Sequence, residues 1–221
     1  MKRSFDIVYE DRDILVAYKK SGLLTVATDK DDRHTLYHYV RDYLNRKRQR
    51  VFIVHRLDRD TSGLVLFAKS IEVKEDLQEA FSAQAVGRYY EAVVRERLPV
   101  GKEMTVDEYL AFDEESGRAY VTHDREEGKE AITRFRVDSV SSLGSVLSIQ
   151  ILTGRRNQIR VALATLHLTL IGDKKYSPDR AKTMMLNEYE IDLPEDFPLR
   201  KKSFFTQPLW LSAPSEDSLP E

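Results

Sequence analysis

The sequence predicts one α+β domain rich in antiparallel strands. Apolar and polar residues alternate in FDIVYE and DILVAYK, the pattern of half-buried strands, and AITRFRV and SVLSIQILT read as strands as well. Three further segments repeat their apolar residues at helical spacing. No internal repeat, low-complexity stretch or linker divides the 221 residues, so the expected organisation is a single domain over 1–221. A chain of this length buries a core without covalent staples.

The elements follow in order. FDIVYE and DILVAYK, split by Asp11-Arg12-Asp13, form a hairpin, and Ser21-Gly22 ends it. From His34 to Arg46, the spacing of Leu36, Tyr39, Val40, Tyr43 and Leu44 predicts an amphipathic helix. VFIV (51–54) and LVLFAKS (64–70) are apolar strands around the polar loop HRLDRDTSG (55–63). A second helix covers 71–85, with Val73, Leu77, Ala80 and Phe81 on one face. YYEAVV (89–94) is a strand. Residues 95–130 hold short strand-like pieces and turn signals at Gly101, Gly117 and Gly128. AITRFRV and SVLSIQILT are two further long strands, and RRNQIRVALATL starts a third helix. Beyond Gly172-Asp173 the pattern weakens; FFTQPLWLSAP reads as a last strand, and 213–221 as a flexible acidic tail.

Hydrophobic residues make up 41% and charged residues 33%, with no cysteine. Disulfides, thiolate nucleophiles and Cys-ligated zinc are therefore excluded. The N-terminus lacks the apolar run of a secretory signal, and no stretch approaches the ~18 apolar residues of a membrane span. The expected location is the cytoplasm. Net charge is −2, so any nucleic-acid affinity must be local. Arg41, Arg46, Lys47, Arg48 and Arg50 face only Asp42 in their stretch, although a solvated helix end explains the cluster equally well.

Two stretches carry candidate chemistry. In 55–63, His55, Arg56, Asp58, Arg59 and Asp60 crowd between two apolar strands, which suits a rigidly held catalytic group. A tight turn, with Gly63 at positive φ, explains the same residues. In TGRRNQIR (153–160), Arg156 and Arg160 share a helix face at i, i+4, and Arg155 and Gln158 add donors near a helix N-terminus suited to an anion. A basic surface turn is the alternative.

His55-Arg56-Leu57-Asp58 followed by Thr61-Ser62-Gly63-Leu64 resembles the signature loop of the RluA family of pseudouridine synthases. Three other blocks resemble that family in the same order. They are the N-terminal hairpin IVYEDRDILVAYKKSGL, Arg88-x-Tyr90-x-Ala92-x-Val94, and Gly154-Arg155-x-x-Gln158-Ile159-Arg160-Val161 with Ile171-Gly172-Asp173 and Tyr176. The resemblance spans roughly residues 5–176. It implies a pseudouridine synthase fold, a mixed but mostly antiparallel sheet flanked by helices and loops, of the compact type without an S4 domain. It implies an isomerase acting on ribosomal or transfer RNA, or both, with neither organic cofactor nor metal. Asp58 would initiate glycosidic-bond cleavage, Tyr90 stack on the target uracil, and Arg160 pair with the aspartate. His55, Arg56, Arg59, Thr61, Arg155, Arg156 and Gln158 would contact RNA, Arg56 taking the place of the flipped base. A monomer without membrane or obligate protein partner is expected.

The chain departs from the family in several places. Lys19-Lys20 or Lys20-Ser21 stands for the usual Lys-Pro, Arg156-Asn157 for Thr-His, and Ala162 for a common histidine. The family's C-terminal Leu-His-Ala is hard to place around Met185-Leu186-Asn187. These departures bear on substrate choice more than on activity. Two rival readings exist: an RNA chaperone of the same fold without activity, and a Mg²⁺-dependent phosphatase using Asp58 and Asp60. His55 and Arg56 interrupt the apolar strand such a phosphatase needs, and cations beside the carboxylates oppose a metal.

Overall fold

The computed structural model of the chain describes residues 5–27, 34–207 and 209–210. Eleven strands and three helices follow the order β1 (Asp6–Glu10), β2 (Ile14–Lys19), α1 (Leu36–Asn45), β3 (Phe52–Ile53), β4 (Ser62–Ala68), α2 (Ile71–Ser82), β5 (Gly87–Val94), β6 (Glu103–Asp113), β7 (Arg118–Thr122), β8 (Lys129–Ser141), β9 (Gly144–Ile151), α3 (Gln158–Thr165), β10 (Leu186–Asp192) and β11 (Ser203–Phe205). The α+β class and the antiparallel bias agree with the sequence reading. The chain divides into two compact units. One runs through Arg88 and takes up Glu188–Thr206; the other comprises Tyr89–Asn187 and the described residues from Gln207 onward. The acidic tail lies outside the described residues.

In the first unit the strand order is β1-β2-β4-β10, with β3 on β4 and β11 on β10. Asp11 makes the β1–β2 turn, its Oδ1 accepting from the backbone of Asp13 and Ile14, both at 2.8 Å. Ser70 caps α2 by accepting from Val73 N–H, and Leu77 and Ala80 of that helix join Ile14, Val16, Leu64 and Leu66 in the core. Thr35 caps α1, which buries Leu36, Val40 and Leu44, the first-unit face that its spacing predicts.

The second unit has the order β5-β9-β8-β6-β7. The stretch read as short pieces is a long hairpin instead, because β6 continues for eleven residues and pairs with both β7 and β8. The third helix starts later than its periodicity suggests. Asn157 takes a left-handed conformation (φ 57°), which asparagine tolerates better than most residues, and α3 begins at Gln158. Arg156 therefore precedes the helix and shares no helical face with Arg160. The strand β10, LNEYEID, was not visible in the sequence at all. Met185-Leu186-Asn187, where the family's C-terminal motif could not be placed, is the entry to that strand. Of the expected last strand, FFTQPLWLSAP (204–214), only Phe204 and Phe205 fall in β-structure among the described residues, within β11.

Candidate active site

The polar loop between β3 and β4 is fastened from several sides within the first unit. Thr25, itself buried, exchanges two hydrogen bonds with Leu57: its hydroxyl donates to Leu57 O (2.8 Å) and accepts from Leu57 N–H (3.1 Å). Lys19 is fully buried, and its ammonium donates to the carbonyls of Leu23 (2.7 Å), Arg59 (2.8 Å) and Lys20 (3.2 Å). Gly22 N–H donates to Arg59 O, and the Ser21 hydroxyl to Asp60 O. Leu57, Arg59 and Asp60 are thus tied to the segment 19–25. Asp58 sits between two fixed neighbours and is half-buried, while Arg56, Arg59 and Asp60 are exposed.

Lys19 also supplies charge. Burial pulls its pKa down to about 7, opposed by attraction to Asp60 and Asp58. The turn that lacks the family's proline is held instead by the lysine clamp, and Gly22 supplies its positive φ of 85°.

His55 does not face outward. Its ring stacks on Phe81 at 4.7 Å, its Nε2 accepts from Leu66 N–H at 3.0 Å, and 9% of the residue is exposed. An accepting Nε2 places the proton on Nδ1. Burial, then the nearby Arg88, hold the imidazole neutral with a pKa well below the usual value. Arg88 lies over the same Phe81 and forms a two-point ion pair with buried Glu188, at 2.7 and 3.2 Å. His55, expected from the sequence to contact RNA, supports the loop from inside. Thr61 is likewise buried.

In the second unit, Tyr90 lies buried on β5 and Arg160 buried on α3. Arg160 is gripped by Asp173: Nε donates to Oδ2 at 2.8 Å and Nη2 to Oδ1 at 2.7 Å. Asp173 is fully buried and also accepts from the backbone of Lys175 and Tyr176. Burial would raise its pKa, but the Arg160 bonds and charge outweigh that and hold it below the usual range. The Tyr176 ring lies 5.0 Å from the Arg160 guanidinium and 5.2 Å from that of Arg118. Its hydroxyl donates to Asn157 Oδ1 and accepts from Ala119 N–H.

Gln158 is spent on the interior. Its Oε1 accepts from the Thr153 hydroxyl and Arg155 N–H, and its Nε2 donates to Ile132 O and Thr133 Oγ1. Arg155 and Arg156 remain accessible; Arg155 donates from Nε to Glu130 O, and Arg156 stacks on Phe112. Sequence reasoning passed over Thr25, Glu188 and the grip of Asp173. Only Lys19 and Asp173 carried a signal, through their places in the family-like blocks.

A family model described as RNA pseudouridylate synthase matches residues 13–165. The chain is 35% identical over 175 residues to ribosomal large subunit pseudouridine synthase D of Yersinia pestis, and 33% identical over 175 residues to the protein of that name from Escherichia coli K12. Each match covers 77% of this chain and 52% of the relative, so the chain spans about half the length of those curated relatives. Human RNA pseudouridylate synthase domain containing 1 shares the fold, with a TM-score of 0.76 at 23% identity over 94% of this chain and 85% of that one.

Proposed function

The chain belongs to the RNA pseudouridylate synthase family, and from that premise we propose that it converts uridine in RNA to pseudouridine, with Asp58 as the initiating carboxylate. The observation that supports this reading best is the suspension of Asp58. Both its chain neighbours are fastened by buried side chains, Leu57 by Thr25 and Arg59 by Lys19. A reacting carboxylate needs such fixed placement. The reaction breaks the bond between C1′ and N1, turns the uracil, and joins C1′ to C5. The C5 hydrogen leaves as a proton and N1 gains one, so no oxidant or external energy is needed. Lys19, whose pKa burial lowers to about 7 against the attraction of Asp60 and Asp58, ties the backbone of Arg59, the residue after Asp58.

By resemblance, Tyr90 provides an aromatic wall for the detached base, and Arg160 takes the place of the family's motif arginine. Extruding a nucleotide costs a few kcal/mol, least where the RNA is unpaired, and exposed Arg56 is the side chain to fill the gap. The curated relatives are named for the large ribosomal subunit, which puts ribosomal RNA ahead of transfer RNA as substrate. Action as a monomer in the cytoplasm belongs to the same reading. Among the described residues no helix is long and apolar enough to cross a membrane.

The test is tritium release from RNA carrying 5-tritiated uridine, because forming the C5 bond expels that hydrogen. Asp58→Asn keeps size and removes charge; release should fall below detection, while RNA binding stays within about tenfold, since phosphate contacts dominate affinity. Asp60→Asn should keep most activity. A folded Asp58→Asn protein with near-normal release refutes the assignment. RNA binding without release by the unaltered protein would make it a binding module.

A further inference from the structure

Beside the 153–157 turn, the second unit contains a cavity of about 420 Å³ whose lining includes Phe112, Glu114, Glu127, Lys129, Arg155 and Arg156. Its floor is rigid. The Phe112 ring, on β6, packs against the buried cluster of Leu110, Ala119, Ala131 and Val161. The Arg156 guanidinium lies 3.9 Å from the ring centroid. The Arg156 side chain is 44% exposed, and one of its nitrogens stands 3.8 Å from Glu114, whose own side chain is 87% exposed.

The charges around the cavity decide what it accepts. Lys129, Arg155 and Arg156 face Glu114 and Glu127, and Arg155 already gives its Nε to Glu130 O. Glu127 accepts from the hydroxyls of Tyr120 and Thr122. The two carboxylates offset most of the charge of the three cations, so a phosphate placed here gains little net attraction. An uncharged, flat base needs none, and proteins stack unpaired bases on guanidinium planes and aromatic rings. A guanidinium already resting on a ring is ordered before the base arrives, which lowers the entropy lost on binding.

We propose that Arg156, resting on Phe112, is a stacking shelf for an unpaired base of the RNA, other than the uridine being isomerised. The proposal rests on the RNA-modifying reading above and adds the chemical group that this cavity takes. Carboxylates at the cavity suit the amino edge of such a base, because they accept hydrogen bonds and donate none.

The experiment uses the full chain and short unstructured RNA oligonucleotides in which 2-aminopurine replaces each base in turn, since stacking quenches its fluorescence. Arg156→Lys retains the charge but loses the plane, and Phe112→Leu retains apolar volume but loses the ring. Each should weaken binding about tenfold and abolish the quenching, while the salt dependence, set by phosphate contacts, stays the same. Arg156→Lys changes no buried packing, so it decides the matter should Phe112→Leu disturb the hairpin. Arg156→Lys with the affinity and quenching of the unaltered protein overturns the shelf and leaves RNA binding intact. Failure of the unaltered protein to bind any of the oligonucleotides overturns the shelf, whereas absence of tritium release from RNA overturns the RNA-modifying reading on which it rests.

Discussion

Replacing Asp173 by asparagine should destabilise the protein by about 3 kcal/mol, because the carboxylate is fully buried and answers an almost fully buried arginine. Its two oxygens accept four hydrogen bonds: Oδ1 from Arg160 Nη2 (2.7 Å), Lys175 N–H (2.7 Å) and Tyr176 N–H (3.1 Å), and Oδ2 from Arg160 Nε (2.8 Å). An asparagine oxygen reproduces the first three. Its amide nitrogen then points a donor at the Nε donor, so one charge-assisted bond, of roughly 1.5–3 kcal/mol, becomes a repulsion. The countercharge at 173 is also lost. Together these effects fall at the low end of the roughly 3–5 kcal/mol observed when one partner of a buried pair is removed.

The assay is urea unfolding followed by far-ultraviolet circular dichroism, comparing Asp173→Asn, Arg160→Met and the double variant. The double should be less destabilised than the sum of the singles by about 1–2 kcal/mol. Because the folded-state pKa of Asp173 is depressed, its contribution is complete above the unfolded carboxyl value near ~4 and is lost as pH falls through the lower folded value. The difference between the parent protein and Asp173→Asn should thus be flat near neutrality and shrink only in acid. An Asp173→Asn effect under about 0.5 kcal/mol, the usual range for surface changes, or strict additivity of the two sites, would refute the reasoning.

Gly63→Ala should cost about 3 kcal/mol or more, seen as a fall in Tm of roughly 6–12 °C. Gly63 has φ 125°, and an added Cβ would lie 2.5 Å from Glu188 N and closer still to its carbonyl oxygen; an unchanged Tm would contradict that approach. Lys19, with its pKa lowered to about 7, binds fewer protons folded than unfolded between there and the unfolded value near ~10. The stability of the protein relative to Lys19→Met should therefore rise with pH across that window, by up to about 1.4 kcal/mol per pH unit, and a level difference in urea titrations would show that the clamp keeps its proton. Dialysis against a strong chelator should leave tritium release intact once the RNA's own Mg²⁺ is restored, since the Lys19 ammonium is electrostatically coupled to Asp58 and Asp60 and opposes a cation there. Loss of activity that only enzyme-bound metal repairs would revive the phosphatase-like reading.

The sequence by itself determined what local pattern encodes. The β1–β2 hairpin follows from alternation broken at Asp11-Arg12-Asp13, α1 and α2 from helical spacing, and the HRLD loop from charge crowded between apolar runs. Family-like blocks carried the fold class and the choice of Asp58. The positive φ expected at Gly63 is present at 125°, and its cause, the close approach of Glu188, is not local.

Tertiary structure decided where polar groups are buried. Strand β10 escaped notice because Asn187 and Glu188 read as surface residues, yet both are 0% exposed. Asn187 donates to Glu91, 96 positions away, and Glu188 accepts from Arg88, 100 positions away. Gln158 follows the same rule: it looks like an open donor, but its amide joins Ile132, Thr133, Thr153 and Arg155. Lys19, His55 and Asp173 complete the pattern. Burying a polar or charged side chain is costly without a partner, and that partner can lie anywhere along the chain. Periodicity reports which face is apolar; only the folded contacts show which polar residue has found its counterpart and therefore belongs inside.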